Sequence, residues 1–427
     1  MTDFKRKNIF ERFTKQSNHY DWILLAVVVI LCIGGLAFLA SALSSKSQEV
    51  YQSEFIKQFL LGIWLGGVCT FVLSRVDYHT WFKYSKTLIV ITFSMLGFIS
   101  IFAIYINVAS YGKSYTQAEI IRSSVIRSVK FLPIRPFAGG GALRWIEIPK
   151  VVNFQPVELT KLTTLIYLSA FLWKNEKEYL NLLKMKKLLY TLALGAFLIL
   201  VQPDLGSVLL IFSILISAMW ISGKISLKII IPIVILVLAL GATLTLSTGY
   251  RKSRLDAFLS NDSTKAFQVT QVKLAIQNGG MWGKGYGNSE FKQRDAIPEV
   301  TTDGIIAIVG EEMGFTFTIL FLSLYLVFLI RGLKIAQEAP DIGGKTLAAG
   351  IAVWITSQAF LNIAGITGMI PLKGIPLPFV SSGGSSIILN LIAVGILLNI
   401  SNQKEVQFSN TKSKVRVING KISRISS

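Results

Sequence analysis

Long apolar runs, separated by short polar stretches, dominate this chain from end to end. Runs near 22–42, 55–74, 87–106, 157–173, 187–202, 205–222, 228–246, 304–330, 346–369 and 384–401 are each read as one crossing of a bilayer by a helix. The fourth and fifth are the shortest and carry polar residues. Two polar intervals are much longer than the rest, at about 107–156 and 247–303. The pattern predicts an all-α integral membrane protein with about ten transmembrane helices and two long loops on one side. Residues 21–402 form the membrane domain, and residues 1–20 and 403–427 form basic tails on the other side. Within the first long loop, 116–131 sets Ile120, Ile121, Val125, Ile126 and Val129 against Arg122, Arg127 and Lys130. That spacing suits a basic amphipathic helix lying on the membrane or an ordinary packed loop helix.

Composition agrees, with 52% apolar and 15% charged residues, a balance too hydrophobic for a soluble globular domain. The formal charge of +20 raises the question of nucleic acid. Yet the bases lie in loops between spans, and there is no soluble domain to present a binding face. Membrane lipids with acidic headgroups, or an anionic lipid-linked substrate, account for them better. Cys32 and Cys69 fall inside spans, and His19 and His79 are isolated, so neither a disulfide framework nor a zinc site is indicated. The first run follows Lys5-Arg6-Lys7 and is too long for a signal-peptide core, so it is expected to be a retained first helix.

Positive charge sets the expected orientation. Both tails, and the loops holding Arg75, Lys83 and Lys86, Lys174 to Lys187, Lys224 and Lys228, and Arg331 to Lys345, share one side. The positive-inside rule makes that side cytoplasmic. The two long loops then face out, away from nucleotide cofactors. Asp303 ends the second of these loops and opens the eighth apolar run, a costly place for a carboxylate that is neither used nor partnered.

Other candidate residues sit on the same outer side. Arg144-Trp145 suits a phosphate contact with stacking on a sugar or lipid, or simple interfacial anchoring. Pro156 suits the first turn of a helix on which Glu158 and Lys161 share a face, as structural glue or as a polar floor beneath a substrate. Gly279-Gly280 to Gly287, with Lys284, lacks the strand and Gly-Lys-Ser/Thr of a nucleotide loop; it forms tight turns or cradles a diphosphate. Asp204 follows Gln202-Pro203. Glu299 precedes Asp303, and Lys373 precedes Leu377-Pro378-Phe379 and Gly383-Gly384-Ser385-Ser386. Glu311 and Glu312 form an acidic pair inside the eighth run, functional or part of a structural network.

In their order and topology these segments resemble the SEDS family (shape, elongation, division and sporulation) of peptidoglycan glycosyltransferases, over nearly the whole chain. Tyr250-Arg251, Arg254-Leu255, Ala257-Phe258-Leu259 and Gly285-Tyr286-Gly287-Asn288-Ser289 resemble its division branch, typified by FtsW, more than its elongation branch, typified by RodA. The chain departs from the family pattern at Thr301 (usually His), Gly304 (usually aromatic), Val157 (usually Ser) and Ser382 (usually Tyr), and 113–135 looks like an insertion.

The resemblance implies polymerisation of lipid II outside the cytoplasmic membrane, with undecaprenyl diphosphate as leaving group. Asp303 would be general base, directly or through Mg²⁺ or Mn²⁺. Arg144, Trp145, Glu158, Lys161, Lys284, Glu299, Lys373 and Ser385 would contact substrate, while Asp204, Glu311 and Glu312 would support the site. The implied partners are a class B penicillin-binding protein and other division proteins. A lipid II flippase and a noncatalytic scaffold for a transpeptidase are the rival readings; the acidic pair suits the first, the changes around Asp303 the second.

Overall fold

The computed structural model describes residues 20–109, 115–129, 132–139, 142–149, 152–175, 182–202, 204–223, 267–294, 300–370 and 374–418. The run expected at 228–246 and the bases at Arg251 and Arg254 lie outside the described residues, as do Glu299 and Lys373.

Helices occupy the other predicted runs. The first three are α1 (Trp22–Leu43), α2 (Gln48–Arg75) and α3 (His79–Ala109). The first long loop contains α4 (Tyr115–Ser128) and strands β1 (Arg135–Gly139), β2 (Ala142–Ile148) and β3 (Val152–Phe154). Then follow α5 (Pro156–Lys174), α6 (Leu182–Val201), α7 (Leu205–Ile221), α8 (Phe267–Gly279), the short α9 (Glu290–Gln293), α10 (Ile305–Gln337), α11 (Ile342–Ile366) and α12 (Gly384–Ile418). Among the described residues, six are long and apolar enough to cross a membrane: α1, α2, α3, α10, α11, and α12 as far as Gln403. The chain is a mainly helical, multi-pass membrane protein.

Short polar side chains start several of these helices by accepting from free amides of the first turn. Asp21 accepts from Leu24 N at 3.0 Å, Asp204 from Ser207 N at 3.1 Å and Asp341 from Gly344 N at 2.9 Å. Pro156 takes the first turn of α5, as its sequence predicts. Within α2, Lys57–Trp64 is wound as π-helix, and Gln58 from this stretch is buried.

Packing uses small residues where helices approach closely, since lipid gives no hydrophobic push between spans. A Cβ on Gly350 of α11 would stand 2.2 Å from Leu165 Cδ1 of α5. One on Gly66 of α2 would stand 2.5 Å from Leu391 Cδ1 of α12. Thr70 Oγ1 also donates to Leu391 O at 2.7 Å, adding a polar tie between α2 and α12. At the end of the bundle opposite Asp303, Arg331 donates from Nη2 and Nε to Asp21 at 2.6 and 3.0 Å. Nearby, Tyr78 and His79 donate to Asp341, joining the α2–α3 turn to the start of α11.

The first long loop departs from an all-α reading. Its strands form an antiparallel sheet in the order β1-β2-β3, with Arg135 paired to Glu147 across β1 and β2 at 2.8 Å. A register shift between Phe137 and Ala138 lets Leu143 and Ile146, three apart, both join Ile99 and Ile106 of α3 in a small apolar cluster. Val125 and Ile126 of α4 pack on the same cluster, while Ile120 stays 64% exposed. The amphipathic segment is therefore a loop helix that rests on the bundle by one edge.

The eighth run is broken. Gly314 has φ 81° and ψ 173°, which splits α10 into a short inner segment, 305–313, and a long one from 315. The break is held by a ladder to the glycine-rich turn. Lys284 N donates to Glu311 O, Gly285 N to Glu312 O, and Phe315 N to Gly280 O, at 3.0, 2.9 and 2.9 Å. A Cβ at Gly314 would lie 2.4 Å from Gly283 N, and one at Gly283 would lie 2.2 Å from Glu312 O. The glycines here serve the tight turns and close approach expected from sequence. Gly314→Ala is expected to destabilise the fold by at least about 1–3 kcal/mol, seen as a lower thermal unfolding midpoint of the purified protein in detergent.

Candidate active site

Asp303 stands in the turn before α10, half-buried, with Gly304 as the residue ahead of the first helical turn. A Cβ on Gly374 would stand 3.9 Å from Asp303 Oδ2, so the carboxylate faces the start of the 374–383 segment. That segment is non-helical and is stitched to the 301–303 turn through the main chain. Ser382 N donates to Thr301 O at 2.8 Å, Ser381 Oγ to Thr302 O at 2.5 Å and Asn362 Nδ2 to Asp303 O at 3.3 Å.

Side chains from three helices complete the cage around 374–383. Gln58 Nε2 of α2 donates to Ser381 O at 3.1 Å, and its Oε1 accepts from Gly383 N at 3.2 Å. Tyr325 of α10 donates to Pro378 O at 2.6 Å. Gln358 and Asn362 of α11 donate to Pro376 O and Ile375 O at 3.0 and 2.7 Å. Phe379, buried and in a left-handed conformation with φ 66°, lies where its carbonyl would be 2.6 Å from a Cβ on Gly35.

Behind this cage lies the expected i, i+3 pair. Lys161 Nζ donates to Glu158 Oε1 at 2.7 Å and to Gln358 Oε1 at 2.6 Å, and sits 5.3 Å from the Trp354 ring centroid. Ser386 Oγ donates to Glu158 Oε2 at 3.0 Å. Lys161 and Glu158 are only 2% and 4% exposed, so in this arrangement they brace the site from within and do not line it. Ser385 is buried, and its hydroxyl has no hydrogen-bond partner among the described residues.

The remaining candidates form two further groups. Arg144 Nε donates to Gln202 O at 3.3 Å, and its Nη1 lies 3.8 Å from Asp204 Oδ2. Trp145, beside it on β2, is half-buried. Asp204 also accepts from Ser207 Oγ at 2.9 Å, so it caps α7 and holds Arg144 together. The acidic pair resolves as a structural network. Glu311 accepts from Asn278 Nδ2 at 2.8 Å, Glu290 N at 3.1 Å and the Ser289 hydroxyl. Glu312 accepts from Lys292 Nζ at 2.7 Å and Ser41 Oγ at 2.6 Å. Lys284 meets Glu290 on the surface of the glycine-rich turn, and that hydrogen bond holds the Glu290 carboxyl below its usual range.

Gln58, Gln358 and Asn362 are central here but are not singled out by the sequence, which marks Lys292 only as one base of the second long loop and Ser381 only as one of the small polar residues that open the last span. The available signal was the spacing of Gln358 and Asn362 at i and i+4 in an otherwise apolar span. Among the described residues, no three or more His, Cys, Asp or Glu side chains gather to hold a metal ion.

The family model described as cell cycle protein, covering FtsW, RodA and SpoVE, matches residues 116–406. The chain belongs to the FtsW/RodA/SpoVE family. It is 33% identical over 396 residues to the probable peptidoglycan glycosyltransferase FtsW of Geobacter sp. strain M18, covering 90% of this chain and 97% of that protein. It is 32% identical over 395 residues to stage V sporulation protein E of Bacillus subtilis strain 168, covering 91% and 98%. The fold is shared with a solved structure described as "Structural coordination of polymerization and crosslinking by a peptidoglycan synthase complex", at TM-score 0.68, 20% identity, and coverage of 91% and 99%. It is also shared with the RodA of Thermus thermophilus, at TM-score 0.61, 19% identity, and coverage of 91% and 98%.

Lys292 and Glu312 are 1% and 0% exposed. Lys292→Met is therefore expected to cost about 3–5 kcal/mol by leaving a buried carboxylate unpaired. Lys292→Met with Glu312→Gln should recover much of that loss in thermal or denaturant unfolding.

Proposed function

We propose that this FtsW/RodA/SpoVE family member is a peptidoglycan glycosyltransferase that polymerises lipid II, with Asp303 as general base. The observation that carries the reading is the caged Asp303 turn. One carboxylate is kept half-exposed at the mouth of a span while every residue from 301 to 303 is tied by its main chain to neighbouring segments. A base must sit within hydrogen-bond reach of the proton it takes, and a fixed backbone supplies that placement.

In the reaction, a sugar hydroxyl of one glycan attacks the anomeric carbon of another. The new glycosidic C–O bond forms as the bond to the diphosphate oxygen breaks. The hydroxyl proton passes to Asp303, and undecaprenyl diphosphate leaves as the anion. Cations must then stabilise the departing charge. Lys284, 30% exposed beside Glu290, is one candidate. Lys373 and the bases of 247–266, outside the described residues, are the others. Arg144 and Lys292 are engaged by carboxylates and serve mainly to position the outer segments. The distribution of bases favours an Asp303 end outside the cytoplasmic membrane, where a class B penicillin-binding protein would meet the growing glycan strand. The sequence features of the division branch favour a role in septal synthesis.

Glycan-chain formation from lipid II by the purified protein, alone and with a class B penicillin-binding protein, tests the reading. Asp303→Asn is expected to lower the rate about 10²–10⁴-fold, and an undiminished rate would refute the assignment. Running each reaction with EDTA, Mg²⁺ and Mn²⁺ decides whether a cation takes part. Movement of labelled lipid II across liposomes without polymerisation would instead favour a flippase.

A further inference from the structure

We infer that Gln358 and Asn362 are positioning residues for the transferase reaction, and that Lys161 acts on it through Gln358 without touching substrate. The inference rests on Asp303 being the base. The two amides lie one turn apart on α11, with Gln358 0% and Asn362 3% exposed.

Chemistry fixes which way each amide points. Gln358 Oε1 accepts from Lys161 Nζ at 2.6 Å and from Trp354 Nε1 at 2.9 Å. An ammonium and an indole N–H only donate, so the amide oxygen must face them and the amide nitrogen must face Pro376 O, 3.0 Å away. Asn362 is oriented from the opposite side. Its nitrogen donates to Ile375 O at 2.7 Å and Asp303 O at 3.3 Å, and carbonyls only accept. Its Oδ1 is then left buried with no hydrogen-bond partner among the described residues. A buried acceptor kept unsatisfied is costly and calls for a reason; here the donor side of the amide supplies it by setting the Asp303 backbone.

Lys161 has no proton left over for a substrate. Glu158 and Gln358 accept two, and the third faces the ring of Trp354. Glu158 is held in turn by Ser386. The chain Ser386–Glu158–Lys161–Gln358–Pro376 thus joins the start of α12 to the segment opposite Asp303. Displacing that segment or the Asp303 turn by a fraction of an ångström should slow the chemical step more than it weakens binding.

Gln358→Met and Asn362→Leu test this, because each keeps the approximate volume and removes the donor, whereas a buried acid facing carbonyls would protonate and donate again. Lipid II polymerisation and thermal unfolding are measured on the full chain with its transpeptidase, alongside Asp303→Asn. The expected result is a kcat about 10–100-fold lower and a KM within about threefold of wild type, in a protein whose unfolding midpoint is lowered but which stays folded at the assay temperature. In the neutral-pair background Glu158→Gln/Lys161→Met, adding Gln358→Leu should lower kcat by less than it does in wild type, since the two changes act along one chain. Wild-type kcat in both donor-free variants, or a raised KM at unchanged kcat, overturns the proposal. So does a fully additive loss in the combined variant. Should Gln358→Met fail to fold, Gln358→Leu carries the same test, and its failure to fold assigns the residue to stability alone. If Asp303→Asn retains full activity, the base assignment falls. If it is inactive while the amide variants work normally, only the positioning role falls.

Discussion

Every main-chain N–H and C=O at membrane depth must find a partner, because hydrocarbon offers none and each orphan costs several kcal/mol. Helices meet this demand internally. The 374–383 segment does not, and its carbonyls are met by side chains: Ser381 O by Gln58, Pro378 O by Tyr325, Pro376 O by Gln358 and Ile375 O by Asn362. Each donor comes from a different turn of α2, α10 or α11. The cost of leaving the helical form is thus converted into a rigid frame, and Asp303 is attached to that frame through the carbonyls of residues 301 to 303.

The buried charges follow a similar economy. Glu158 with Lys161, and Glu312 with Lys292, are nearly or wholly removed from solvent and are matched one to one. Glu311 meets no cation among the described residues but gathers donors from Asn278, Ser289 and the main chain of α9. Such networks add little net stability over a well-packed apolar core, but losing one partner is severe. What they do here is fix register: α1 to α9 and α10 in one case, α5 to α11 and α12 in the other.

Much of this was legible in the chain itself. The apolar runs located the helices because a bilayer-spanning helix leaves little freedom in length or composition. Pro156 and the Glu158–Lys161 spacing were readable because their partners are local. The sheet was less legible. Ala142–Ile148 alternates only in part, and the irregularity beside Ala138 shifts its buried positions to a spacing of three. The frame around Asp303 could not be read, because it is made of main-chain carbonyls joined to residues far away in sequence. Ser382 meets Thr301, and Gln58 meets Ser381, and no periodicity announces such pairs. Two of the departures from the family pattern, Thr301 and Ser382, thus turn out to touch one another through their backbones.

The break at Gly314 divides the protein mechanically. The residues before it, with Asp303 at their head, are laddered to the glycine-rich turn and pinned to α8 and α9. The residues after it belong to the lipid-embedded bundle. A pull at the 280–287 knuckle therefore reaches the Asp303 turn through backbone hydrogen bonds and one short helical segment. A change of length in 113–135 reaches it less directly, through the β1–β2–β3 sheet, which packs on α3, bonds the start of α7 through Arg144 and leads by β3 into α5. The second outer loop is thus a lever with its short arm at Asp303, joined to it by backbone where the first is joined by side chains.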